Sequence, residues 1–480
     1  MSRQIASSSA DANFHPERAG VRGRWLALFV VLLATFMDLV DVTIVGVALP
    51  SIQRDLHAGY AVGQWIVAGY ALAYALILVT GGRLGDVYGP RRVFIAGVAG
   101  FTVASALAGA AVSPAMLIMA RVAQGLFGGV MVPQVMSVVA TRFPPGRDRT
   151  LAFSLYGALL GVAQVSGPII GGLLTSYGVF GLGWRLIFYI NLPIGLCAIA
   201  GAARWMDERP RATARLDLPG VALLALAALL LTVPLVQGRE QGWPAWSLAA
   251  LAASPFALAA FALYERGRAE RALVPTTLFR QRSFTAGLVV LLVLFTGIAI
   301  YFMTLTWLLQ FGLGWSPLHV ALTGLAWPAG IACTAQIAYR LSSRHGRRLV
   351  RIGMPITALG TAGLAWAVHD GGRLTTAGIV PWMVVGGIGM GLTIPILSTL
   401  VIAEVEAPYA GAASGVVNSV VQLGSAIGVA LAGVVYFAVR IAPGTAGART
   451  LACAAGTFLL AGLLAPLLPP QTVDDSVTGA

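Results

Sequence analysis

The sequence predicts an all-α integral membrane protein that crosses the bilayer fourteen times, with both termini on one side. Three observations carry this expectation. Of the 480 residues, 58% are hydrophobic and 10% are charged, whereas a soluble domain carries about 25% charged residues. Too few polar side chains remain to cover a water-facing surface of this size. The apolar residues fall into fourteen runs, each close to the roughly 20 residues that a helix needs to span the hydrocarbon core. The runs are 25–49, 61–82, 93–112, 115–140, 150–175, 186–203, 216–236, 245–264, 284–310, 317–338, 352–368, 377–402, 411–439 and 450–468. Finally, the basic residues alternate in density between successive loops. With the N-terminus inside, the inner segments hold 24 arginines and the outer ones 6, leaving Arg121 within the fourth run. Positive charge marks the cytoplasmic side, so both termini are expected there, in tails 1–24 and 469–480.

Composition also excludes several classes. The formal net charge of +13 does not indicate a nucleic-acid partner, because the basic residues sit in short loops between apolar runs. All 31 basic residues are Arg. Without Lys there is no phosphate-binding loop of the G-x-x-x-x-G-K-[ST] kind, so ATP is not expected as an energy source. Cys197, Cys333 and Cys453 show no metal or redox spacing, and neither a cofactor nor a metal is expected. No small-residue cleavage site follows the first run, so no secretory signal is read there.

Taken in order, the runs carry a few residues that hydrophobicity does not explain. The first contains Asp38 and Asp41. A charge at mid-bilayer costs about 2.5–3.5 kcal/mol on insertion scales, and residues three apart share a helix face. Desolvation and a neighbouring like charge both favour the neutral acid. Two readings stand: a proton and cation site facing a central cavity, or a structural polar pair buried between helices. After the second run comes GGRLGDVYGPRRVF, 81–94, a glycine-rich turn in which Asp86 pairs with a nearby Arg or a helix N-terminus. The fourth run holds Arg121, which stays protonated and needs a carboxylate, carbonyls or water; Gln124 shares its face. In the fifth run, Gly161, Gly167, Gly171 and Gly172 allow close helix approach and Pro168 introduces a kink. The thirteenth presents Asn418 and Gln422 one turn apart, as cavity contacts or interhelical bonds. The loop YRLSSRHGRRLV, 339–350, echoes the first one: aligning Arg83 with Arg340 also pairs Gly89 with Gly346 and Arg91 with Arg348. An echoed basic loop in each half indicates a duplicated architecture.

These motifs resemble those of a known family. Gly82 to Arg92 reads G-x-L-x-D-x-x-G-x-R-R, with Gly82, Asp86, Gly89, Arg91 and Arg92 in place, and looks like the loop signature of the major facilitator superfamily. RVAQGLFGG, 121–129, is similar to its fourth-helix motif. GALLGVAQVSGPIIGG, 157–172, resembles the antiporter motif. DVTIVGVALP, 41–50, and GWRLIFYINLPIG, 183–195, resemble signatures of the fourteen-helix drug–proton antiporters. Gly46 stands where that family's first helix usually has Asn.

The resemblance implies two six-helix bundles, 25–206 and 284–468, around a central cavity, with two additional central helices within 207–283. It implies a proton-coupled exporter of drugs or antibiotics across the cell membrane, acting as a monomer. Its partners would be a small molecule, protons and the lipid bilayer. Asp41 and Arg121 would take part in proton coupling, with Asp41 the stronger candidate because Asp38 lies outside the motif. Gln124, Asn418 and Gln422 are the cavity candidates. The loop would stabilise one access state, and the fifth helix would seal the cavity against proton leak. An exporter of a metabolite or siderophore is the alternative. A membrane-embedded enzyme would need a catalytic constellation within the spans, and the sequence contains none.

Overall fold

A helix satisfies its own backbone hydrogen bonds, which is why apolar runs in lipid become helices. In a computed structural model the described residues form fourteen helices long and apolar enough to cross a membrane. The structure describes residues 21–143, 147–177, 181–208, 218–238, 241–266, 276–369, 374–402, 405, 410–438 and 442–468, and these contain no strand.

The first half comprises α1 (Val21–Asp55), α2 (Tyr60–Tyr88), α3 (Pro90–Gly109), α4 (Pro114–Arg142) and α5 (Arg147–Tyr177). A sixth span follows, made of a tight turn at Gly183–Arg185 and the helices α6 (Leu186–Tyr189) and α7 (Asn191–Trp205). The inserted pair is α8 (Leu218–Gln237) and α9 (Ala245–Arg266). The second half comprises α10 (Arg282–Trp307), α11 (Pro317–Gly324), α12 (Ala326–His369), α13 (Thr376–Ile402), α14 (Ala410–Tyr436) and α15 (Pro443–Leu464). α10 ends in one wide turn, Leu308–Gly312. α12 holds the end of one span, to Ala338, and the whole of the next, which begins at His345, where φ −134° and ψ 17° leave the helix.

Local chemistry sets several boundaries. Ser113 Oγ accepts from the Met116 amide at 3.3 Å, ahead of Pro114 at the first position of α4. Ser316 and Pro317 start α11 in the same way; such caps satisfy orphan amides. The segment from Gly82 to Arg92, expected as a turn, is mostly helix. α2 continues through Tyr88 and α3 begins at Pro90, so Gly89 alone reverses the chain, at φ +93°. Gly82 is simply helical. The reason is economy of unpaired backbone: one glycine in a conformation closed to other residues replaces a loop of exposed amides.

One face of the bundle is rich in arginine. There Arg24 pairs with Asp148 at 3.0 Å, Arg92 with Glu208 at 3.2 Å and Arg142 with Asp207 at 2.7 Å. Arg91 and Arg142 also donate to the Ala203 and Trp205 carbonyls at the end of α7. These contacts are internal to the first half. Hydrogen bonds between the two halves lie at mid-span and nearer the opposite face. Gln310 Nε2 donates to the Val47 carbonyl at 2.8 Å, and Gln64 Nε2 to the Val429 and Ala430 carbonyls at 3.0 and 3.2 Å. The Leu318 amide donates to Ser176 Oγ at 3.3 Å, and Ser419 Oγ to the Ala75 carbonyl at 2.9 Å. α8 and α9 pack on each other and α8 touches α2 and α14. α9 leaves Phe256, Leu258 and Leu263 exposed.

Gly89→Ala should cost about 1–3 kcal/mol, the strain of a left-handed or glycine-only conformation, read as a lower thermal unfolding temperature of the detergent-solubilised protein.

Candidate functional site

α1 carries Asp38 and Asp41 one turn apart into the interior of the first half, where they are 2% and 0% exposed. They do not share one partner set. Arg121 of α4, 1% exposed, forms an ion pair with Asp41, its Nη1 donating to Oδ2. Nη1 also donates to Gln124 Oε1 at 2.9 Å, and Nε to the Ile66 carbonyl of α2 at 3.1 Å. The other Asp41 oxygen, Oδ1, accepts from Gln124 Nε2 at 3.0 Å and from Asn191 Nδ2 at 2.9 Å. Asn191 also donates to Ser105 Oγ at 2.9 Å, and Ser105 Oγ to the Phe188 carbonyl at 2.9 Å. Three donors thus converge on one carboxylate from α4 and α7. Charge-assisted bonds of this kind are about twice as strong as neutral ones.

Asp38 meets different chemistry. Its Oδ1 accepts from the Tyr70 hydroxyl of α2 at 2.6 Å. Tyr70 and Tyr74, at i and i+4, stack with centroids 5.8 Å apart. The Arg121 guanidinium lies over the Tyr70 ring, 4.3 Å from its centroid, a contact worth about 2 kcal/mol when desolvated. Gly128 of α4 makes room: a Cβ there would fall 2.6 Å from Asp38 Oδ1 and 3.2 Å from the Tyr70 oxygen.

The structure therefore brings Asp41, Arg121 and Gln124 together and sets Asp38 beside them. Asn418 and Gln422 of α14 lie outside this cluster; Asn418 is exposed and Gln422 half-buried. Arg91 and Arg92 serve the arginine-rich face, bonded to Ala203 and Glu208. The Asp86 backbone belongs to α2, but its side chain lies outside the described residues. In α5, Gly167 faces Thr43 and Gly171 faces Ile44 of α1, while Gly172 meets α11, where a Cβ would fall 2.8 Å from Leu318 Cα. Gly161 corrects the expectation for that motif: among the described residues nothing lies within 4 Å of its would-be Cβ, so it makes no close approach to another described helix. Pro168 sits inside α5, which stays helical across it from Arg147 to Tyr177.

Sequence reasoning missed Asn191, Ser105, Tyr70, Tyr74 and Gly128. Asn191 is the one amide in the apolar stretch 186–203, a visible signal. The tyrosines carry an i, i+4 signal, but tyrosine at a membrane interface gives the same pattern.

A family model of the Major Facilitator Superfamily matches residues 31–429. The chain belongs to the major facilitator superfamily. Members of this superfamily are transporters, and the protein is a multi-pass membrane transporter rather than an enzyme. It is 40% identical over 446 residues to a probable actinorhodin transporter of Streptomyces coelicolor, covering 90% of this chain and 77% of that one. It is 36% identical to a tetracenomycin C resistance and export protein of Streptomyces glaucescens, covering 88% and 77%. It is 35% identical to a puromycin resistance protein of Streptomyces alboniger, covering 93% and 91%. Among solved structures, a peptide transporter bound to sulfate has a TM-score of 0.67 at 15% identity, covering 92% of this chain and 95% of that one. A nucleoside transporter has 0.61 at 12%, covering 92% and 99%. Both share the superfamily fold.

Removing one member of a buried ion pair leaves the other uncompensated, at a cost of about 3–5 kcal/mol. Arg121→Met and Asp41→Leu should each destabilise by that order, and the double variant by less than their sum. Thermal unfolding of all four proteins measures the coupling.

Proposed function

We propose that the protein is a proton-coupled antiporter that exports antibiotic-like small molecules across the cell membrane as a monomer, with both termini in the cytoplasm. The observation that carries this reading is the pair of buried carboxyls on α1 served by unequal partners. Asp41 is matched by Arg121, Gln124 and Asn191. Asp38 is met by the hydroxyl of Tyr70. With both carboxyls ionised, the three charged groups sum to −1; one proton brings them to zero. The resemblance of the first-helix motif ranks Asp41 first, whereas the donors around each carboxyl favour Asp38 as the exchanging group. Protonating Asp38 leaves the guanidinium paired, while protonating Asp41 strands it.

Export is supported by the relatives, which are named for actinorhodin, tetracenomycin C and puromycin. The density of arginine in alternate loops supports cytoplasmic termini. The hydrogen bonds between the halves, lying at mid-span and at the opposite face, support a conformation closed toward the outside. Gly167 and Gly171 hold α5 against α1, the helix that carries both carboxyls, which suits a seal against proton leak.

Everted membrane vesicles with an acidified interior test the reading. Adding puromycin, tetracenomycin C or actinorhodin should raise the interior pH for at least one compound, because protons leave as it enters. Asp38→Asn should abolish this while the protein still inserts. Uptake that survives a protonophore but stops on ATP depletion, or undiminished proton release in Asp38→Asn, refutes the assignment.

A further inference from the structure

Tyr70 touches both halves of the charged cluster with different parts of one rigid side chain. Its hydroxyl donates to Asp38 Oδ1 at 2.6 Å, and its ring lies under the Arg121 guanidinium at 4.3 Å. It is 1% exposed and lies on α2, four residues from the Ile66 carbonyl that accepts from Arg121 Nε. Asp38 and the Arg121–Asp41 pair thus meet on one tyrosine. We propose that Tyr70 is the positioning residue through which the protonation state of Asp38 reaches the Arg121–Asp41 pair. The proposal rests on Asp38 being the group that exchanges the proton.

The physical route is short. While Asp38 is ionised, the phenol bond is charge-assisted and holds the ring in place. When a proton adds to the carboxylate, that bond falls to about half its strength. Tyr70 itself neither gains nor loses a proton. The ring's polar tether is then weaker, so the guanidinium above it rests on a less firmly fixed support. A phenol ring has two torsions and no flexible stem, so a small shift at the oxygen moves the whole face. The ionisable groups around Asp38 and Tyr70 are Asp41 on α1, Tyr74 on α2, Arg121 on α4 and Tyr156 on α5. Of these, Arg121 alone is cationic. Gly128 keeps the tether short, since any side chain there would enter the space between Asp38 and Tyr70.

Tyr70→Phe removes the tether and keeps the ring. Gly128→Ala wedges the tether apart and keeps both groups. The test uses everted vesicles and whichever of puromycin, tetracenomycin C or actinorhodin the wild-type protein accumulates. Two rates are compared: proton-driven accumulation, and exchange of labelled for unlabelled compound with the gradient collapsed. Their ratio should fall about ten-fold in Tyr70→Phe, which corresponds to about 1.4 kcal/mol, and the dependence of accumulation on pH should flatten. Gly128→Ala should do the same. The proposal is overturned if Tyr70→Phe keeps the wild-type ratio and pH profile in vesicles where Asp38→Asn loses them. It is equally overturned if Tyr70→Phe fails to insert and Gly128→Ala keeps both. If Asp38→Asn itself keeps the ratio, the assignment of the proton to Asp38 fails first, and this role fails with it.

Discussion

The ion pair between Arg121 and Asp41 is the constraint on which the first half is built. Arginine stays charged at any accessible pH, and here it is withdrawn from water almost completely, at 1% exposure. A charge in that position is tolerated only when its partner and its remaining donors are met with good geometry. Each neighbour follows from this need. α1 supplies the carboxylate, α2 the Ile66 carbonyl, and α7 the Asn191 amide that occupies the second oxygen. α3 supplies Ser105, which positions Asn191. Five helices are thereby held in register about one cation, with Asn191 at the start of α7.

The two halves carry unequal chemistry. Among the described residues, the buried charged side chains are Asp38, Asp41, Arg121 and Glu265. The first three belong to the first half, and Glu265 belongs to the inserted α9. The second half buries Thr, Ser and Gln side chains, most of the threonines bonded back to a carbonyl one turn earlier, as Thr304 is to Ile300 at 2.6 Å. Such back-bonds satisfy the hydroxyl within its own helix, and Thr296 and Thr357 also reach the Gly424 and Gly386 carbonyls of neighbouring helices. Among the described residues, the second half therefore buries no charged side chain, and the buried charges lie in the first half and in α9.

The contacts that would have to break in a conformational cycle are of a suitable kind. Gln64 and Gln310 donate to main-chain carbonyls across the halves. A neutral hydrogen bond contributes only about 0.5–1.5 kcal/mol net, so exchanging it for water costs little. The ion pairs of the arginine-rich face join elements within one half, tying α1 to α5 and the ends of α3 and α4 to the segment after α7. Those surface pairs are each worth only about 0–1 kcal/mol, and the desolvated ion pair, Arg121 with Asp41, also lies within the first half, so none of these ionic contacts has to break for the two halves to separate.

Hydropathy and arginine spacing determined the fourteen spans, because the cost of an unsatisfied backbone in lipid leaves a chain of this composition no other secondary structure. The sequence likewise singled out Asp38, Asp41, Arg121 and Gln124, since a charge or amide inside an apolar run is conspicuous without any knowledge of packing. Tertiary structure decided how those residues divide. Asp38 and Asp41 are one turn apart and look equivalent along the helix. Yet the approach of α4 and α7 gives Asp41 a cation and two amides, and the approach of α2 gives Asp38 a phenol. Spacing in sequence does not carry that difference, because it depends on which neighbouring helix faces each side of α1. The same holds for Gly161, which the motif groups with Gly167, Gly171 and Gly172. Among the described residues, only those three meet another helix, and that depends on how α1 and α11 cross α5, a geometry set by packing rather than by the local pattern of residues.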